Sequence, residues 1–123
     1  MNKNQLKQFI IANIYAKQGF SVNADGIGSR NGYMCGFNNA VLIRPVEEFK
    51  ASEVDDWVEL AYPTLTGDKN LYAGGWLFED NYYLEISRNI GVLLAARDFA
   101  AKHGEIAIFD CEAQQVITIH NQN

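Results

Sequence analysis

The stretch from Leu71 to Asp110, LYAGGWLFEDNYYLEISRNIGVLLAARDFAAKHGEIAIFD, constrains the fold more than any other part of the chain. Tyr72 to Phe78 and Tyr82 to Ser87 are runs of aromatic and branched residues around the polar Glu79-Asp80-Asn81, the pattern of a β-hairpin. Alternation of Tyr82, Leu84 and Ile86 with Tyr83, Glu85 and Ser87 predicts a strand with one buried and one polar face. From Gly91 to His103 the period becomes helical, with Val92, Leu93, Ala96, Phe99 and Ala100 inward, Asp98 and Lys102 outward, and Gly104 placed to cap the end. Ile106 to Phe109 and Val116 to Ile119 then read as another hairpin, across the polar turn at Glu112 to Gln115.

The first half follows a similar plan. Leu6, Phe9, Ile10 and Ile14 form one apolar stripe, which predicts a helix over 4–18 stopped by Gly19. Gly19 to Asn23 and Gly32 to Phe37 read as two short strands of a hairpin joined by a long glycine-rich loop. Val41 to Arg44 extends the sheet until Pro45, which has no N–H for the ladder. Ser52 is placed to cap a second helix, with Asp55 answering in a capping box, Val54, Trp57, Val58 and Ala61 buried, and Pro63 ending it. The order is therefore α-ββα-ββα-ββ. Strands arriving in pairs disfavour a doubly wound parallel sheet, because short turns cannot make the crossovers it needs. The chain is read as α+β: one two-layer domain over 1–123, a mainly antiparallel sheet of hairpins with helices on one face, and a frayed tail at 120–123.

A chain of 123 residues, 48% hydrophobic and 20% charged, can bury one real core without staples. No apolar run approaches the roughly 20 residues of a membrane span, and the start lacks the features of a signal peptide. The expected location is the cytoplasm, and Cys35 and Cys111 are expected to be buried free thiols. A net charge of −5 argues against direct binding of nucleic acid, whose affinity comes from basic residues neutralising phosphates. Glu47, Glu48, Glu53, Asp55, Asp56 and Glu59 crowd one region with only Lys50 among them. Acids favour a helix start through the macrodipole, but Asp55 and Glu59, four apart, repel one another, and an acidic docking face would explain that arrangement.

Few residues suggest chemistry. The loop Gly26-Ile27-Gly28-Ser29-Arg30-Asn31-Gly32 lacks both the Lys-Ser/Thr pair and the following helix of a phosphate loop. Gly74 and Gly75 before Trp76 mark a bulge or the close approach of another group, either a side chain or a ligand. Cys35, Cys111, His103, His120, Glu85, Asp110 and Ser87 are the available catalytic parts, and none has the spacing of a nucleophile with its base or of a metal site. Glu85 and Asp110 read as exposed acids or turn formers. The expectation is a protein that is not an enzyme and carries no cofactor or metal.

At Gly74-Gly75-Trp76, Tyr83-Leu84-Glu85-Ile86-Ser87 and Ala107-Ile108-Phe109-Asp110 the chain resembles a group of small uncharacterised proteins of bacteriophages, prophages and conjugative elements. That group carries Asp where this chain has Glu85 and Gln where it has Glu105. The resemblance implies a mobile-element accessory protein acting in the bacterial host cytoplasm, with a role against host defences by genomic association. With the acidic cluster it gives the leading expectation, a protein that binds and modulates a basic host protein through Glu53, Asp56, Glu59, Trp76, Phe78 and Tyr83. The alternatives are a module binding a small nucleotide-like anion through Arg30, Gly74, Gly75 and Trp76, and a homo-oligomeric structural component burying the aromatic hairpin.

Overall fold

The computed structural model describes residues 1–119, and of residues 38 and 39 only the backbone. The tail expected to fray at 120–123, with His120, lies outside the described residues. The first helix, α1 (Lys3–Tyr15), begins at Asn2, whose side chain accepts from the Gln5 N–H while the Gln5 side chain accepts from the Asn2 N–H, both at 2.8 Å. Leu6, Ile10 and Ile14 are its buried stripe. It ends before the predicted stop at Gly19. Lys17 adopts a left-handed φ of 57°, and the N–H groups of Lys17 and Gln18 turn back to the carbonyls of Ile14 and Asn13.

The remaining elements are β1 (Phe20–Val22), β2 (Tyr33–Pro45), a 3-10 turn at Val46–Glu48, α2 (Ala51–Gly67), β3 (Leu71–Phe78), β4 (Asn81–Ile90), α3 (Leu93–Lys102), β5 (Ala107–Asp110) and β6 (Gln115–Thr118). The predicted order α-ββα-ββα-ββ is the observed one. Among the described residues the sheet has six strands in the order β1-β3-β4-β2-β5-β6, each pairing antiparallel. One predicted pairing is absent: β1 and β2 do not form a hairpin. Phe20 lies opposite Gly75 and Val22 opposite Ala73 of β3, while β2 runs the length of β4, from Tyr33 opposite Ile90 to Pro45 opposite Asn81. The physical reason lies in β3. A Cβ on Gly75 would stand 2.3 Å from Phe20 Cε1, so the bare backbone there receives the β1 aromatic ring.

All three helices cover one face. Tyr82, Leu84 and Ile86 pack with Ala73 beneath α1 and α2, against Ile10, Val54, Trp57, Val58 and Leu65. Cys35 and Ile108 pack beneath Ala96 and Ala100 of α3. Cys35 lies opposite Arg88, two residues beyond Ile86 on β4, so both clusters share a side of the sheet. β2 bends to accommodate them, with register shifts on both sides of position 39 and a left-handed φ of 53° at Ala40, whose carbonyl accepts from the Trp57 indole N–H.

Three further expectations are corrected here. The α2 cap is Lys50 rather than Ser52, since Glu53 reaches back to accept from the Lys50 N–H at 3.3 Å. Pro63 lies inside α2 and does not end it, because Ala61 and Leu65, on either side of it, are fully buried and hold the helix to the core up to Gly67. Val92 precedes α3 and is 64% exposed rather than inward, so the buried stripe of that helix is narrow, built on Ala96 and Ala100.

A cleft on the helix-free face

Side chains opposite to the core strip point away from the helices, and here the curl of the sheet and the β5–β6 hairpin give them walls. The resulting cleft has a volume of about 570 Å³. Gly36, Gly74, Glu85 and Ser87 line it from the central strands, Phe20 and Ser21 from β1, and Phe109 and Val116 from β5 and β6. Two glycines keep the space open. A Cβ on Gly74 would stand 3.2 Å from Ser87 Oγ, and one on Gly36 would stand 2.7 Å from Glu85 Oε2 and 2.8 Å from Glu105 Oε1.

At one end lies the segment joining β1 to β2, which passes the ends of β3 and β4. Asn23 Oδ1 accepts from the N–H groups of Asp25 and Ile27, each at 3.0 Å, and shapes the turn. Asn89 holds the other half: its amide donates to Ser29 Oγ at 3.0 Å and to the Asn31 carbonyl at 2.9 Å. Ser29 thereby joins the lining of the cleft. At the other end stands Trp76, its ring stacked on Tyr83 at 4.8 Å and tilted against Phe78 at 5.6 Å.

Glu85 decides the chemistry of the floor. It was expected to be exposed, on the polar face of its strand; it is 7% exposed, because that face looks into the cleft and not into open water. Burial pushes its carboxyl up to about 8, the neighbouring Glu105 pushes the same way, and a hydrogen bond donated by the Trp76 indole opposes them. Glu105, on the segment between α3 and β5, is itself 8% exposed. The two carboxyl groups converge over Gly36, where any side chain would collide with both. A carboxyl that keeps its proton at neutral pH can donate a hydrogen bond, and on losing it becomes a buried anion.

The structure separates the residues singled out from the sequence. Trp76, Gly74 and Gly75 line the cleft, with Gly75 also giving room to the core through Phe20 and Tyr82. Arg30 is exposed and is not among the residues of the wall. Glu53, Asp56 and Glu59 stand on α2, in the helical layer, whereas Trp76 and Tyr83 share the opposite face of the sheet. Glu53, Asp55 and Glu59 also have intramolecular partners. Arg44 bonds Glu53 at 2.9 Å, Lys3 bonds Glu59 at 2.8 Å, and Lys7 lies 3.7 Å from Asp55 and 3.6 Å from Glu59. The repulsion between Asp55 and Glu59 is therefore compensated from α1. Asp110 is a turn former as read from the sequence: its Oδ1 accepts from the N–H groups of Glu112 and Ala113 at 3.1 and 3.0 Å. Cys35 and Cys111 are buried free thiols, and burial, with Cys111 and Glu105 nearby, raises Cys35 to about 12.

Sequence reasoning missed Glu105 and Gly36 as members of a site, and considered Ser87 only as a catalytic part without a base. Gly36, a glycine inside a strand pattern, was the one signal that could have pointed there. Among the described residues no group of three or more His, Cys, Asp or Glu side chains is arranged to hold a metal ion. Nor is any described helix long and apolar enough to cross a membrane. No family model matches this chain, and no curated protein or solved structure was found to match it.

Proposed function

We propose that the protein is a small-ligand-binding module whose ligand occupies the cleft on the helix-free face of the sheet. The observation that carries this reading is a concave space of about 570 Å³ with a buried carboxyl group on its floor. Its size is within the range of about 300–1,000 Å³ typical of ligand pockets, and its lining has their character, apolar walls with a few convergent polar groups. Burial disfavours the charged form of Glu85, and a binding site is a reason for a chain to keep a carboxyl group there. Binding through the acidic helix to a basic host protein stands second, because Glu53 and Glu59 are engaged by Arg44, Lys3 and Lys7 and the helix lies on the face opposite to Trp76.

A fragment screen by amide NMR tests the reading. Fragments that bind should shift the amides of Ser21, Gly36, Gly74 and Ser87, and raise the melting temperature by mass action. Gly74→Leu, which fills the floor, should abolish those shifts while circular dichroism remains that of the wild type. Hits that map consistently to the outer surface of α2, with the cleft amides unmoved, would overturn it.

A further inference from the structure

Gly74 lies at the centre of the cleft floor. Ser21 stands opposite it on β1 and Glu85 opposite it on β4, and between them the floor is bare backbone. Ser87, the next residue of β4 on the same face, is 5% exposed, and its Oγ lies 3.2 Å from the place a Gly74 Cβ would occupy. Among the described residues the Ser87 hydroxyl has no hydrogen-bond partner, and the residues paired with Ser87 across the strands, Tyr72 and Gly36, are uncharged. Buried hydroxyl groups in folded proteins are nearly always bonded, so one that opens onto a cleft is completed by what enters it. On the other side of Gly74 stands Trp76, two residues along β3 and so about 7 Å away. Its ring stacks on Tyr83 at 4.8 Å and its N–H donates to Glu85, contacts that together fix the indole at that end of the floor.

An aromatic wall, a bare floor and an open hydroxyl in succession match a flat ring with a polar substituent. From this arrangement, and resting on the cleft as the ligand site, we infer that the ligand is an uncharged ring compound bearing a carboxamide-like group, the ring lying over Gly74 against Trp76 and the group bonded to Ser87 Oγ. A serine hydroxyl both donates and accepts, so an amide answers it through its carbonyl and its N–H. A charged group in the same place would surrender its hydration to a neutral, buried partner and lose by the exchange.

Benzamide, benzamidinium and benzoate share one shape and differ in charge, and each is titrated into the labelled full chain while the amides of Ser21, Gly74 and Ser87 and the Trp76 indole N–H are followed. Benzamide should bind at least about fivefold more tightly than either ion. Ser87→Ala should leave the thermal midpoint at or above that of the wild type, since no bond within the fold is lost, and should weaken benzamide by about two- to tenfold, the scale of one hydrogen bond. Gly74→Ala, whose methyl group stands where the ring would lie, should weaken it as well. Equal or tighter binding of either ion, unchanged benzamide affinity in either variant, or a marked fall in the thermal midpoint of Ser87→Ala would overturn the inference and leave the cleft as a site for another class of ligand. If none of the three probes moves a cleft amide, the inference fails outright, and the wider fragment screen decides separately whether the cleft binds anything.

Discussion

Two adjacent glycines do different jobs. Gly75 faces the core, where a Cβ would stand 2.3 Å from Phe20 Cε1 and 2.6 Å from the Tyr82 hydroxyl oxygen. Neither neighbour can withdraw cheaply, because Phe20 packs edge-on to Phe9 at 5.3 Å and the Tyr82 hydroxyl donates to the Gln18 carbonyl at 2.7 Å. Gly75→Ala should therefore cost about 2–3 kcal/mol in urea unfolding, the scale of an overpacked core. Gly74→Ala, with 3.2 Å to Ser87 Oγ and open cleft beyond, should cost well under half of that. Glu85 gives a second prediction at this scale. A carboxyl raised from 4.5 to about 8 binds its proton more tightly in the folded state, so its contribution to stability is fully present below about 4.5 and is lost as pH rises through about 8. Chemical denaturation between pH 5 and pH 8.5 should show Glu85→Gln gaining on the wild type, by on the order of 3–5 kcal/mol if the full shift is expressed. Parallel curves for the two proteins would contradict a buried, protonated Glu85.

Among the elements, the β3–β4 hairpin ties the two faces of the sheet together. Its turn residues Glu79 and Asp80 both take left-handed conformations, φ 50° and 68°, and the Asp80 carbonyl accepts from the Val46 N–H at 3.0 Å. Those angles suit Asn and Gly better than Glu and Asp. The double substitution Glu79→Asn, Asp80→Gly should raise stability by about 1 kcal/mol, measured as a shift of the thermal midpoint, without moving the cleft amides. The element order, the β3–β4 and β5–β6 hairpins and the helix stripes were legible because each depends on residues close in sequence. The partner of β1 was not, because a strand of three residues carries no mark of its neighbour, and the choice of β3 rests on the fit of Phe20 over Gly75, far along the chain. Pro63 misled for a related reason: local propensity would end the helix there, and burial of Ala61 and Leu65 overrides it.

For the whole molecule, the layering of helices on one face made the other face look like a solvated surface in the sequence. Period-two alternation distinguishes two sides of a strand but not water from an enclosed cleft, so Glu85 and Ser87 read as exposed although they are 7% and 5% exposed. Enclosure comes from parts far apart in the chain: Ser29 held by Asn89, the β5–β6 hairpin, and Glu105 arriving beside Gly36. Trp76 with its two glycines was the portion of the site that the sequence did mark. The central claim is that this helix-free face buries an acid at the base of a binding cleft. Its most direct test is a carboxyl carbon NMR titration of Glu85 in the wild-type protein. A midpoint near 8 is the predicted result; a midpoint near 4.5, the ordinary value, would mean a solvated side chain and would contradict the account.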